Sequence, residues 1–177
     1  MIVVYVGIGS NIHPEQNIVM GLNLISSTEN IVMVSNFYRT KPIGKPDDPV
    51  FINGVVAIKS ACSPLELKEN LRKIELSCGR IRTNDPYAPR TLDLDILLYG
   101  NSVIRENSIV IPDPDIRSRD FIAIPLFELN PSAVLPDTGE PISNIVKKID
   151  KSGMDLIDDL SDMLQKKWNK NELLNKK

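Results

Sequence analysis

Residues 90–100 read Arg-Thr-Leu-Asp-Leu-Asp-Ile-Leu-Leu-Tyr-Gly. Side chains alternate across a strand, so Leu92, Leu94, Ile96 and Leu98 are expected on one face, with Asp93 and Asp95 together on the other. Two carboxylates two residues apart on one face lie roughly 7 Å apart along the strand. Each disfavours the other's ionised form unless a cation stands between them. A hard cation with oxygen ligands, Mg²⁺ above all, suits such a pair and also binds phosphate. The competing reading is the exposed face of an edge strand, for which the segment is otherwise too apolar.

Upstream, residues 78–90 form a proline-bearing loop carrying Arg80, Arg82 and Arg90. Seven of the eight arginines fall between positions 72 and 119, where Lys73 is the only lysine. Arginine is favoured over lysine where planar oxyanions must be gripped in fixed geometry. Carboxylates that hold a metal, faced by arginines, make a polyphosphate site. Scattered surface ion pairs would not account for the near-exclusion of lysine. The chain lacks the Gly-x-x-x-x-Gly-Lys-Ser/Thr loop of P-loop nucleotidases. Gly7-Ile-Gly-Ser-Asn11 lacks the third glycine and acidic partner of a dinucleotide fold. His13, the one histidine, sits in a turn beside Pro14. That argues against histidine acid–base chemistry and Ser-His-Asp catalysis, neither of which phosphoryl transfer requires.

Working outward, the β-branched run from Ile2 to Gly7 predicts a strand ending in a turn. Ile18, Leu22 and Ile25 make a helical stripe within residues 14–27. Strands are expected over 31–38 and 51–59, joined by an irregular loop at 40–49 that holds three prolines and a glycine. Ser63-Pro64-Leu65-Glu66 is a capping box with proline at the first helical position, and Leu67, Leu71 and Ile74 continue the helix to about 77. Residues 103–111 are the place for a hairpin partner of the 92–99 strand, and 115–129 read as partly helical, broken by Pro125. Leu156, Ile157, Leu160, Met163 and Leu164 form an amphipathic helix, followed by a lysine-rich tail. The division expected is a domain over 1–150 and a C-terminal helix and basic tail over 151–177. The order β-α-β-β-α-β with additions is that of an α+β fold, helices packing on a mainly antiparallel sheet.

The 177 residues, 42% hydrophobic and 25% charged, fit one ordinary globular domain. A net charge of −2 gives no global field for nucleic acid or anionic membrane. Cys62 and Cys78 are too few for a zinc ribbon or a disulfide framework. No apolar run reaches the roughly 20 residues of a spanning helix, and no cationic signal leads the chain. A cytoplasmic protein with no nucleic-acid or membrane partner is expected, as a monomer or weak homodimer.

Five motifs stand in one order and spacing: Tyr5–Asn11 (YVGIGSN), Tyr38–Gly44 (YRTKPIG), Pro49–Asn53 (PVFIN), Gly79–Arg82 (GRIR) and Pro89–Gly100 (PRTLDLDILLYG). With Arg119, Phe121, Pro125 and Leu126 they resemble the 6-hydroxymethyl-7,8-dihydropterin pyrophosphokinases over roughly residues 2–137. The resemblance implies a ferredoxin-like three-layer α-β-α sandwich. It implies Mg²⁺-dependent transfer of diphosphate from ATP, the co-substrate, to the pterin's hydroxymethyl group in folate biosynthesis, releasing AMP. By the same resemblance Asp93 and Asp95 hold two Mg²⁺ ions, and Arg80 and Arg90 act with them on the phosphates. Arg72, Glu75, Arg82, Tyr87, Ile96 and Arg119 complete the ATP side. Phe51 and Phe121 sandwich the pterin, Asn53 reads its polar edge, and Thr40, Pro42, Ile43 and Gly44 border it. The rival is a non-catalytic pterin- or nucleotide-binding module on the same fold.

The chain departs from the family pattern at three places. Asp113 stands where a histidine is usual, Tyr87-Ala88 where a tryptophan is common, and Thr83 where a basic residue is common. Asp113 is expected to orient Arg117 or Arg119, to accept from a ribose hydroxyl, or to cap the helix near Asp115. The loops at 40–49 and 79–90 are expected to order and close over the phosphates when both substrates bind.

Overall fold

β1 (Ile2–Ser10) runs through the middle of a sheet, antiparallel to β4 (Phe51–Ser60) on one side and to β5 (Asp93–Tyr99) on the other. The computed structural model describes residues 1–42, 49–81, 85, 88–150 and 152–169. Among these, β5, β1, β4, β3 (Tyr38–Thr40) and β8 (Met154–Leu156) lie side by side in that order, and β2 (Asn30–Val34) pairs with β4 ahead of β3. The expected strand over 31–38 is thus two strands. Residues 35–37 face only 54–55 of β4, and the surplus residue kinks the chain. Ser35 holds the kink by accepting from the Val55 N–H through its hydroxyl at 2.8 Å.

The capping box at Ser63 and Glu66 starts α2 (Pro64–Ser77), as its sequence dictates. α1 (Pro14–Thr28), α2 and α5 (Asp158–Trp168) contribute to one apolar cluster with Val4, Val6, Ile8, Val56, Ile58, Leu94 and Ile96. α3 (Asp120–Leu129) and α4 (Ile142–Lys148) build a second with Val55, Leu97 and Leu98. Neighbouring strand residues such as Val55 and Val56 fall in different clusters, so both faces of the sheet are covered. Leu98 was expected beside Leu94 and Ile96, yet it joins the second cluster. Leu97 is an extra residue opposite the Tyr5–Val6 step, and this bulge turns the next side chain over.

Four other expectations are corrected. β5 is an outermost strand, despite its apolar sequence. Its free edge is covered: Glu75 accepts from the Leu94 N–H at 2.9 Å, and the Asp113 N–H donates to the Leu97 carbonyl at 2.9 Å. Residues 103–111 do not extend the main sheet; β6 (Ile104–Glu106) and β7 (Ile109–Ile111) pair with each other. Pro125 does not break α3: it is buried inside the helix, whose Ala123 and Leu126 pack in the second cluster. That burial outweighs the missing backbone hydrogen bond. Leu156 belongs to β8, so the chain after 150 adds a strand to the sheet as well as a helix.

Of the expected closing loops, residues 43–48, 82–84 and 86–87 lie outside the described residues, as does the tail from 170 onward. No helix among the described residues is long and apolar enough to cross a membrane.

Candidate active site

The register of β1 against β5 sets Gly7 opposite Asp95 and Gly9 opposite Asp93, while Gly9 also faces Asn53 on β4. The glycines leave the sheet surface open between the two aspartates and Asn53, and a cavity of about 350 Å³ occupies the space. A Cβ on Gly9 would stand 2.5 Å from Asn53 Oδ1, and one on Gly7 3.4 Å from Leu97 Cδ2. The Gly-Ile-Gly spacing therefore serves a close cross-strand approach. Its signal in the sequence is the two-residue period it shares with Asp-Leu-Asp.

Asp93 is gripped from both sides, with Arg80 Nη1 on one carboxylate oxygen and Arg90 Nη1 on the other. Arg80 is itself anchored by Glu75 Oε1 at 2.6 Å and the Leu92 carbonyl at 3.1 Å. Burial works against the Arg80 charge, but Asp93 and Glu75 more than offset it and raise its pKa. Ser10 and Asn11, which sequence reasoning left without a role, position this loop. Asn11 Oδ1 accepts from the Arg90 N–H at 2.7 Å, and the Ser10 hydroxyl donates to the Thr91 carbonyl at 2.7 Å. Both side chains are buried, so the turn after β1 fixes the backbone that carries Arg90.

Asp95 opens into the cavity, and no described residue donates a hydrogen bond to it. Loss of surrounding water within the cleft, then the charges of Asp93, Asp113 and Glu75, push its carboxyl up to about 7 against the pull of Arg80. A carboxylate this disfavoured gains from any cation beside it. No group of three or more His, Cys, Asp or Glu side chains is arranged to hold a metal among the described residues. Two carboxylates with the remaining positions left to water and phosphate oxygens is the donor set that Mg²⁺ takes in phosphate sites, so the residues fit that ion.

The raised carboxyl has a measurable consequence without metal. Between its ordinary value of 3.8 and about 7, the folded protein holds a proton at Asp95 that the unfolded chain has released. Stability therefore falls as pH rises through that window and levels above it. Thermal melting in chelator from pH 4 to 8 is expected to show Asp95→Asn gaining on the parent as pH rises. Parallel profiles would contradict the assignment.

The other wall of the cavity is made by Phe51, by Phe121 in the first turn of α3, and by Thr40 and Pro42. Asn53 donates through Nδ2 to the Thr40 hydroxyl at 2.8 Å, both residues being buried. Of the residues assigned by resemblance, the cavity brings together Thr40, Pro42, Phe51, Asn53, Arg90, Asp93, Asp95, Arg119 and Phe121, while Arg80 contacts it through Asp93. Ile96 lies instead in a smaller adjoining pocket of about 90 Å³ that shares Asp95 and includes Lys68 and Asp113. Glu75 is buried beneath Arg80 and lines neither space. Arg72 lines neither, and pairs with Glu69 at 2.6 Å. Ile43, Gly44, Arg82 and Tyr87 lie outside the described residues.

Asp113 orients neither arginine, since Arg117 bonds Asp137 at 2.6 Å and Arg119 pairs with Asp115 at 3.7 Å. It caps the 3-10 turn at Pro114–Arg117, accepting from the Asp115 N–H at 2.8 Å.

Charge of both signs at one end of an aromatic-walled cavity suits transfer of a phosphorus-containing group to a flat acceptor. The class is that of a diphosphotransferase. Residues 5–131 match the family model of 7,8-dihydro-6-hydroxymethylpterin-pyrophosphokinase (HPPK), and the chain belongs to that family. It is 40% identical over 151 residues to the 2-amino-4-hydroxy-6-hydroxymethyldihydropteridine pyrophosphokinase of Haemophilus influenzae, covering 84% of this chain and 93% of that one. The Pseudomonas aeruginosa protein of the same name is 39% identical over 137 residues, 76% of this chain and 84% of that one. In fold, the chain is similar to Plasmodium falciparum HPPK-DHPS, with a TM-score of 0.65 at 14% identity over 84% of this chain. It spans 43% of that longer protein. What the likeness shows is a shared arrangement of helices and antiparallel sheet.

Proposed function

We propose that this protein transfers the β,γ-diphosphate of ATP to the hydroxymethyl group of 6-hydroxymethyl-7,8-dihydropterin, releasing AMP, as a cytoplasmic step of folate biosynthesis. The observation that carries the reading is the cavity in which Asp93, Asp95 and Arg90 meet Asn53, Phe51 and Phe121. In the reaction the hydroxymethyl oxygen gives up its proton to water and bonds to the β-phosphorus, while the bond from that phosphorus to the α,β-bridging oxygen breaks and its electron pair leaves with AMP. Two Mg²⁺ ions at Asp93 and Asp95 would supply positive charge to the phosphate oxygens of ATP. Arg90 and Arg80 supply fixed donors beside them, and Glu75 keeps Arg80 aimed there. Phe51 and Phe121 hold a flat heterocycle between phenyl faces. Asn53, with one donor engaged by Thr40, offers the rest of its amide to the pterin's polar edge. The two covered faces of the sheet support a ferredoxin-like three-layer sandwich as the scaffold.

Coupled turnover of ATP to AMP, dependent on both the pterin and Mg²⁺, tests the reading; pterin or ATP binding without turnover would favour a non-catalytic module. Asn53→Ala is expected to cost roughly 1–3 kcal/mol of pterin binding and to leave ATP binding nearly unchanged. Equal losses for both ligands by calorimetry would assign position 53 to the fold instead.

A further inference from the structure

Ser161, Gln165 and Asn169 recur every fourth residue along α5 and its end, so they share a face of the helix. All three turn toward one stretch of chain, residues 34–37, Ser161 and Asn169 to its backbone and Gln165 to the Asn36 side chain. Asn169 brackets Val34 like a strand partner, its Oδ1 accepting from the Val34 N–H at 2.6 Å and its Nδ2 donating to the Val34 carbonyl at 3.1 Å. Gln165 Nε2 donates to Asn36 Oδ1 at 2.8 Å. The Ser161 hydroxyl, 2% exposed, accepts from the Phe37 N–H at 2.9 Å and donates to the Ile157 carbonyl at 2.7 Å. The Ile157 N–H then donates to the Phe37 carbonyl at 3.0 Å, and β8 continues alongside β3 with Met154 opposite Thr40.

Residues 154–169 therefore follow residues 34–40 as a strap, ending at the wall of the cavity. Thr40 is the last residue of β3, and its hydroxyl accepts from Asn53. Gln165 is also linked to α3: Asn36, its partner, donates through its N–H to Glu128 Oε2 at 3.0 Å and through Nδ2 to Glu128 Oε1 at 3.2 Å. Glu128 lies in the last turn of α3, the helix whose first turn carries Phe121. None of the three strap residues lines the cavity itself.

We infer that Ser161, Gln165 and Asn169 are positioning residues for the acceptor site. Through the backbone of residues 34–40 they set where Thr40 stands relative to Asn53, and through Asn36 and Glu128 they hold α3 against the same segment. The inference rests on the pterin occupying the wall made by Thr40, Asn53 and Phe121. Asp93, Asp95, Arg80 and Arg90 belong to β5 and to the loop before it, which the strap does not touch, so the strap acts on affinity for the heterocycle and leaves that for ATP alone. A ring whose polar edge is read by fixed hydrogen bonds is sensitive to shifts of under about an ångström in those partners.

The test is steady-state kinetics of the full chain carrying Gln165→Ala, Asn169→Ala or both, with Arg117→Ala as a control that breaks the ion pair to Asp137 away from the strap. The double variant is expected to raise the KM for the pterin about tenfold, with the KM for ATP and kcat within about twofold of the parent. The control is expected to lower the melting temperature without moving either KM. Both KM values rising together, or neither moving, would overturn the inference. If the double variant fails to fold, Gln165→Ala alone, which removes one half-buried hydrogen bond, is expected to raise the pterin KM about threefold, and an unchanged value overturns the inference equally. Absence of pterin turnover in the parent protein is a separate result and counts against the proposed reaction.

Discussion

Asp95→Asn is expected to leave a folded protein whose turnover has dropped about a thousandfold or more, equivalent to about 4 kcal/mol in the barrier. The side chain opens into the cavity and meets no donor among the described residues, so the substitution breaks no hydrogen bond of the fold. It removes a carboxylate already disfavoured by loss of surrounding water and by the charges of Asp93, Asp113 and Glu75. Melting in chelator at pH 8 is therefore expected at or above the parent temperature. Asp93→Asn is expected to lose as much activity but to be less stable, because Arg80 and Arg90 both pair with that carboxylate. If both variants kept more than a tenth of the parental rate, the carboxylate pair would not be the cation site.

The second large effect belongs to Glu75, which lies 2% exposed beneath Arg80. Glu75→Ala removes the acceptor for the Leu94 N–H on the free edge of β5 and the anchor of Arg80 together. Removing one partner of a buried ion pair costs roughly 3–5 kcal/mol. Against a total stability on the order of 5–15 kcal/mol this is a drop on the order of 10 °C in melting temperature. Glu75→Gln keeps the shape and an acceptor and is expected to recover most of that loss, while activity stays depressed because Arg80 is held less firmly. A melting temperature within about 2 °C of the parent for Glu75→Ala would show that β5 needs no edge cover.

These residues were unequally legible. Asp93 and Asp95 announce themselves because strand periodicity puts them on one face and nothing else in an apolar strand explains them. Glu75 sits among helical residues whose spacing marks Leu71 and Ile74 as buried and leaves Glu75 unremarked. Only the approach of α2 to the edge of β5 gives it work. Ser10 and Asn11 were hidden for a like reason, since their partners lie some eighty residues away in the chain. The apolar sequence of residues 92–99 predicts an interior strand. Its outer edge is protected by a buried side chain and a backbone N–H from residue 113, neither of which leaves a periodic signal.

Local chemistry alone determined where most elements begin and end. The capping box starts α2, the stripe of Ile18, Leu22 and Ile25 defines α1, and the alternation of Asp93, Leu94, Asp95 and Ile96 marks β5. It also determined that two carboxylates and an arginine-rich segment share a neighbourhood. Tertiary structure decided what lies across from what. It set Gly7 and Gly9 against the aspartates, turned Leu98 over at the bulge, folded 103–111 on itself, and drew residues 154–156 into the sheet beside Thr40. Those outcomes depend on pairing register between distant strands, where a shift of one residue reverses every side chain. Hydrophobic pattern within a single strand names its faces but not its partner.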